Sequence, residues 1–190
     1  MNILGISSSP RAGGNTDTIL DEVLRSAKRS GAKVEKIFLN DLIFRPCQEC
    51  GGCDQTGVCV LDDDMRGVYE KAARSDVLVV ASPVFFGTVS AQLKSMIDRF
   101  QCIWVKSTIL KEPVSVRGKR KGAFICVAAA DKKDFFENSK KVVKNLFAIL
   151  NVTYSGEIFC AGVDSCKGVL EKSSIIKKAR LLGRRLANPK

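Results

Sequence analysis

The chain has 190 residues, 45% of them hydrophobic, a net charge of +11 and no histidine. That length points to one domain that buries a core without disulfide staples. No apolar run reaches the length of a membrane span, and the N-terminal MNILGISSSPRAGGN has neither the basic region nor the apolar length of a signal peptide. A cytoplasmic protein with reduced thiols is therefore expected. The lack of histidine removes Ser-His and Cys-His nucleophile pairs, His-ligated zinc and the usual neutral-pH proton shuttle, which leaves the chemistry to a cofactor.

The charge is uneven: residues 1–95 carry 11 Lys/Arg against 12 Asp/Glu, and residues 96–190 carry 20 against 8. A basic half suits nucleic acid, an anionic membrane, an anionic cofactor or an acidic protein, and equally a solvated face with no partner.

Elements alternate along the chain. NILGIS (2–7) is a short apolar run, read as a buried strand. Residues 15–31 place Ile19, Leu20, Val23, Leu24 and Ala27 at helical spacing with Gly31 as the stop. KVEKIFL (33–39) alternates like a strand, and a cysteine-rich loop at about 41–62 follows. DDDMRGVYEKAARS (62–75) is predicted as a helix with its acids in the first turn, where the dipole favours them. DVLVVASP (76–83) reads as a strand, 89–100 as a helix, 122–130 as a strand, 132–150 as a helix, 152–160 as a strand and 169–187 as the closing helix. Such alternation predicts one α/β domain over 1–190: a parallel sheet covered by helices on both faces, five strands in the flavodoxin-like doubly wound order 2-1-3-4-5. Ligands of such sheets sit beyond the carboxyl ends of the strands at the switch point, where the first and third strands lead into SSSPRAGGNT and SPVFFGTVS.

The first of these loops offers Ser7, Ser8, Ser9 and Thr16 hydroxyls, the Asn15 amide, the Arg11 guanidinium and two flexible glycines, Gly13 and Gly14, before a helix N-terminus. Unpaired N–H groups there bind phosphate. The loop is neither GxGxxG nor a Walker motif, so a terminal monophosphate fits better than a dinucleotide; the competing reading is a plain turn with Asn15 as helix cap. In the second loop, the backbone amides of Val84, Phe85, Phe86 and Gly87 are placed to edge a flat ring.

Four cysteines, Cys47, Cys50, Cys53 and Cys59, lie between these loops with spacing C-x2-C-x2-C-x5-C. Disulfides do not suit a reducing compartment. A four-thiolate zinc site usually draws two separated pairs. A [4Fe–4S] cubane takes one thiolate per iron, and the bacterial ferredoxin run shares the x2-x2 spacing. Gly51 and Gly52 free the backbone to curl around an inorganic core. The cubane is the favoured reading, with zinc and an unligated site as alternatives. Cys126 reads as a core residue, Trp104 as packing, and Cys102, Cys160 and Cys166 have no spacing that singles them out.

SSSPRAGGNT and SPVFFGTVSAQLKSMIDRF, with the four-cysteine loop between them, resemble the iron-sulfur flavoproteins, in the NADPH-dependent FMN reductase branch of the flavodoxin-like proteins. The resemblance covers residues up to 100. It implies that Ser7, Ser9, Arg11, Asn15 and Thr16 hold FMN phosphate and that Pro83, Val84, Phe85, Phe86 and Gly87 face the ring. Asp131, in the third loop AAADKKD where the family often has glycine, is placed at the ring edge. Phe85 stands where many relatives have tyrosine. A homodimer or homotetramer is also implied. The expected function is an FMN-dependent oxidoreductase in which the [4Fe–4S] cluster exchanges single electrons with an acidic, ferredoxin-like carrier and FMN couples them to a two-electron acceptor: a quinone, peroxide or dioxygen. The alternative is an NAD(P)H-dependent FMN or quinone reductase whose cysteines hold zinc or nothing. A nucleic-acid-binding zinc module is disfavoured, because the basic residues lie mainly on amphipathic helices such as 171–186.

Overall fold

The computed structural model describes residues 1–114, 118, 120–165 and 168–188; Cys166 lies outside them. Strands β1 (Asn2–Ser7), β2 (Lys33–Phe38), β3 (Val77–Phe85), β5 (Arg120–Val127) and β6 (Val152–Cys160) form a parallel sheet in the order β2-β1-β3-β5-β6. This is the doubly wound order expected from the alternation, with the switch point between β1 and β3.

Strand side chains point alternately to the two faces, so each face gathers its own core. Ile3, Val77, Val79 and Ile125 meet Ile19, Leu20, Val23 and Leu182, from α1 (Asn15–Arg29) and α6 (Ser173–Ala187). Leu4, Ile6, Leu78, Val80 and Phe124 meet Val68, Met96 and Phe147, from α2 (Met65–Arg74), α3 (Ala91–Arg99) and α5 (Lys133–Ile149). On the first face α1 and α6 touch closely enough that a Cβ on Gly183 would strike the Val23 carbonyl oxygen. On the second, the partly buried Leu42 and Phe44 dock the start of the cysteine loop.

Three features depart from the expected elements. Helix α2 begins at Met65, three residues later than predicted, because its acids are used elsewhere: Asp64 accepts from the Ile43 N–H at 2.7 Å and Asp63 from the Arg45 N–H at 3.2 Å. Strand β3 runs on to Phe85 and folds back through Phe86 and Gly87 into a two-residue antiparallel strand, β4 (Thr88–Val89). Beyond α3 the chain continues as a short helix, α4 (Gln101–Trp104), and a π-helical turn over Val105–Ile109, a segment to which sequence periodicity assigns nothing. Single π-turns are favoured at functional sites rather than by any residue pattern.

Candidate functional site

Two recesses lie along the carboxyl ends of the strands and the outer end of α3. The first, of about 180 Å³, is lined by Ser9, Arg11, Asn15, Thr16, Pro83, Val84 and Phe85 together with Pro10, Gly14, Val127, Ala128, Ala129, Val163 and Asp164. The phosphate loop and the β3 loop thus meet at the switch point, 65 residues and more apart in sequence.

The loop is tightly wound. Gly13 takes φ +66°, and the Gly14 N–H donates to the Arg11 carbonyl at 3.2 Å. The Ser9 hydroxyl sits 3.1 Å from both the Arg11 N–H and the Arg11 carbonyl oxygen. Gly14 is the N-cap of α1 and supplies no side-chain acceptor, so the first-turn N–H groups end at the recess uncapped. Arg11 lines the same recess, and open helix N–H groups beside an arginine are a donor set that would fit a phosphate. Below the loop, Asp17 is buried and accepts from the Gly13 N–H at 2.9 Å while pairing with Lys36 at 2.7 Å. Burial works to raise the Asp17 carboxyl, but Lys36, the Gly13 N–H and Ser7 outweigh it and hold the group below the usual carboxylate range.

The remaining candidates divide. Ser7 is fully buried at the end of β1, turned toward Asp17 rather than lining the recess. The Asn15 amide lines the recess but spends both its polar atoms on the chain: it donates to the Ser165 carbonyl at 2.8 Å and accepts from the Val169 N–H at 3.1 Å. Asn15 thereby ties the segment after β6 to the phosphate loop, a contact that uses one of the two N–H donors of its amide. Phe86 and Gly87 stand at φ +49° and +80° in the two-residue turn, with the Phe86 ring fully exposed. A phenylalanine in the left-handed region is uncommon, and such positions concentrate at ligand sites. Asp131 is exposed ahead of α5 and does not line the recess; Ala128 and Ala129 supply the third loop's edge instead, because the chain turns over as soon as β5 ends at Val127.

Sequence pattern missed the serine lattice that locks the two loops. The Ser90 hydroxyl caps α3 by accepting from the Leu93 N–H at 3.3 Å and lies 2.9 Å from the Ser8 carbonyl oxygen. Ser8 donates to the Ala81 carbonyl at 3.0 Å, and the Ser82 hydroxyl accepts from the Ser90 N–H at 3.0 Å. All three serines are buried. The only local sign in the sequence was a serine just ahead of an apolar helical run.

The second recess, of about 350 Å³, is lined by Cys47, Cys50, Cys53 and Cys59 with Gly51, Asp54, Val60, Leu61, Arg99, Gln101, Cys102, Trp104 and Val105. All four motif cysteines therefore face one space. Glu49, Gly51 and Gly57 sit at φ +49°, +70° and +64°, curling the loop, and a Cβ on Gly57 would lie 2.6 Å from the Lys106 Cβ. Among the described residues no three Cys, Asp or Glu side chains converge to hold a single metal ion. The Cys53 thiol is pushed up by burial first and then by Asp54, with Cys59 and Cys47 adding to the same effect. Trp104 and Cys102 line the recess, a placement their spacing did not reveal. Cys102 is buried, its Sγ 3.4 Å from the Arg99 carbonyl oxygen, to which the Tyr69 hydroxyl also donates at 2.8 Å. Cys126 is a core residue whose thiol burial pushes up to about 12.

Arg99 sits where the loop closes on α3. It is 1% exposed. Its Nη1 donates to Asp63 Oδ2 at 2.6 Å and to the Arg45 carbonyl at 2.7 Å; its Nη2 donates to Asp63 Oδ1 at 3.0 Å and to Cys59 Sγ at 3.4 Å. Helix α3 starts with Ser90 in the serine lattice and ends with Arg99 at the cysteines, a rise of about 14 Å for nine residues at 1.5 Å each.

The profile of the NADPH-dependent FMN reductases matches residues 1–159. An iron-sulfur flavoprotein of Methanocaldococcus jannaschii is 31% identical over 98% of this chain and 96% of its own. Another, from Methanosarcina thermophila, is 40% identical over 64% of this chain and 66% of its own. In fold, the chain is similar to an FMN-dependent NADH-azoreductase of Bacillus anthracis solved with FMN (TM-score 0.74, 17% identity, 99% of this chain and 100% of that one). It is similar also to an NAD(P)H:quinone oxidoreductase of Methanothermobacter marburgensis (TM-score 0.72, 18% identity, 100% and 98%).

Proposed function

Since the chain belongs to the iron-sulfur flavoproteins of the NADPH-dependent FMN reductase family, and is thereby an FMN-dependent oxidoreductase of flavodoxin-like fold, we propose that it passes single electrons from a ferredoxin-like carrier through a [4Fe–4S] cluster to FMN and on to a two-electron acceptor such as a quinone, peroxide or dioxygen. The observation that carries this reading is that α3 joins two recesses: its N-cap Ser90 is bonded to Ser8 of the loop that lines the first, and its last residue, Arg99, lines the second with the four cysteines.

When bound, FMN supplies one- and two-electron chemistry and the cluster supplies one-electron chemistry; the rest belongs to the chain. Ser9, Arg11, Thr16 and the open N-terminus of α1 would hold the phosphate, with Ser7 and Asn15 supporting the loop from behind. Pro83 to Gly87 would edge the ring, the exposed Phe85 and Phe86 shielding it from water. Asp131, exposed ahead of α5, would contact the ring edge. Cys47, Cys50, Cys53 and Cys59 would ligate the cluster. A zinc ion takes four sulfurs at about 2.3 Å each, whereas a cubane takes one thiolate at each of four separated irons, which suits thiols spread around a recess of 350 Å³.

The family profile favours a second reading, with NAD(P)H as the direct donor to FMN. Stopped-flow absorbance under argon separates the two. Reduced ferredoxin should reduce the flavin in the unaltered protein, and Cys50→Ser should slow that step by at least about a hundredfold while flavin content is unchanged, second-sphere losses alone being about 10–100-fold. Flavin reduction by NADPH at equal rates in both proteins, with none by ferredoxin, would establish the second reading instead.

A further inference from the structure

Among the described residues, Cys59 is the motif cysteine whose sulfur accepts a hydrogen bond from a charged side chain. Arg99 Nη2 donates to its sulfur at 3.4 Å, and the same guanidinium is fixed by both Asp63 oxygens and by the Arg45 carbonyl. Asp63 in turn accepts from the Arg45 N–H at 3.2 Å and from the Met65 N–H at 3.1 Å. Entry and exit of the cysteine loop, 18 residues apart, are thus knotted onto the last residue of α3.

A fully buried guanidinium is expensive unless it is paired. Burial here works against the charge, and Asp63 with the Cys59 sulfur more than restores it. Its Nε–H is buried without a partner among the described residues, and Arg99 is one of the residues that line the cysteine recess. The neighbours facing it are Tyr69, whose hydroxyl is engaged by the Arg99 carbonyl, and Cys102; neither carries charge to replace Asp63.

We propose that Arg99, clamped by Asp63, is a positioning residue for the cluster: it holds Cys59 in place as the fourth ligand and, by donating to its sulfur, raises the reduction potential of the group that sulfur binds. Donation to a ligating sulfur and a nearby positive charge both favour the more electron-rich form. The inference rests on the cluster reading above. Lysine at 99 keeps a charge but cannot make the two-pronged contact with Asp63 and still reach Cys59.

The test is an EPR-monitored redox titration under argon of the full chain, Arg99→Lys and Arg99→Met, with iron, labile sulfide and FMN measured on each. Arg99→Lys should retain iron and FMN, with its cluster midpoint moved to a more negative value and its flavin midpoints unmoved. Arg99→Met should lose most of its iron and keep its FMN. Should Arg99→Met fail to fold, shown by loss of FMN, Arg99→Lys decides alone. Wild-type iron content and an unmoved cluster midpoint in Arg99→Lys would overturn the role of Arg99 while leaving the cluster in place. Unaltered protein with FMN but no iron or sulfide would overturn the cluster itself and the inference with it.

Discussion

Asp17 shows how a residue that touches no ligand shapes the site. Its carboxylate fills the inside of the phosphate loop, holding Gly13 with one oxygen and Lys36 with the other. Its pKa is lower in the folded chain than its ordinary 3.8. The stabilisation it provides is therefore complete above pH 3.8 and is lost as pH falls through the lower folded value. Lys36 is 28% exposed on its side chain, so the pair lies between the 0–1 kcal/mol of an exposed bridge and the 3–5 kcal/mol of a broken buried one. Asp17→Asn should cost about 2 kcal/mol in urea unfolding at pH 7. It should also lose less stability than the unaltered protein between pH 5 and pH 2. An identical acid profile in the two proteins would remove Asp17 from this role. The sequence placed Asp17 in the first turn of a helix but gave no sign of this work, because the partner, Lys36, comes from a neighbouring strand. Arg99 was hidden in the same way: on a helix wheel it is one more basic residue near a C-terminus, and only the fold brings Asp63 and Cys59 to it.

Among the elements, strands and helices with clear periodicity were legible, since apolar spacing alone decides which face is buried. Boundaries with other duties were not. The acids at 62–64 suit a helix dipole, yet two of them close the cysteine loop, and α2 waits until Met65. The hairpin at Phe86 and Gly87 and the π-turn at 105–109 were equally illegible, because both are set by tertiary contacts rather than by local preference. The π-turn backs the cysteine loop at Gly57, which combines φ +64° with a forbidden Cβ contact to Lys106. Gly57→Ala should therefore destabilise the chain by about 1–3 kcal/mol and lower iron content in anaerobically reconstituted protein, with FMN content unchanged. Normal iron in a destabilised variant would show that the loop tolerates the shift without losing its curl.

At the scale of the whole molecule, the sheet separates two surfaces with different tasks. The phosphate loop opens onto the strand ends, while the cysteine loop docks on the face covered by α2, α3 and α5. The basic surplus of the second half is divided by the same sheet. Lys177, Arg180 and Arg184 lie on α6, across the sheet from the cysteines, and the exposed Lys141 and Lys144 lie on α5, on the cysteine side. Both faces thus carry exposed basic side chains, so net charge alone does not identify a docking face. Among the described residues no helix is long and apolar enough to cross a membrane. The fold, and the meeting of the two loops at the strand ends, were readable from alternation and two loop motifs. The link between the two recesses was not, because it is made by the length of α3 and the residues at its two ends.

The most direct test is the metal and flavin content of protein purified and reconstituted without oxygen. Iron, labile sulfide, zinc and FMN should be measured per chain, together with the EPR spectrum after reduction. About four irons, four sulfides and one FMN, with a reduced-cluster signal that disappears in Cys50→Ser while FMN remains, is the predicted result. One FMN with zinc, or with no metal at all, would contradict the account.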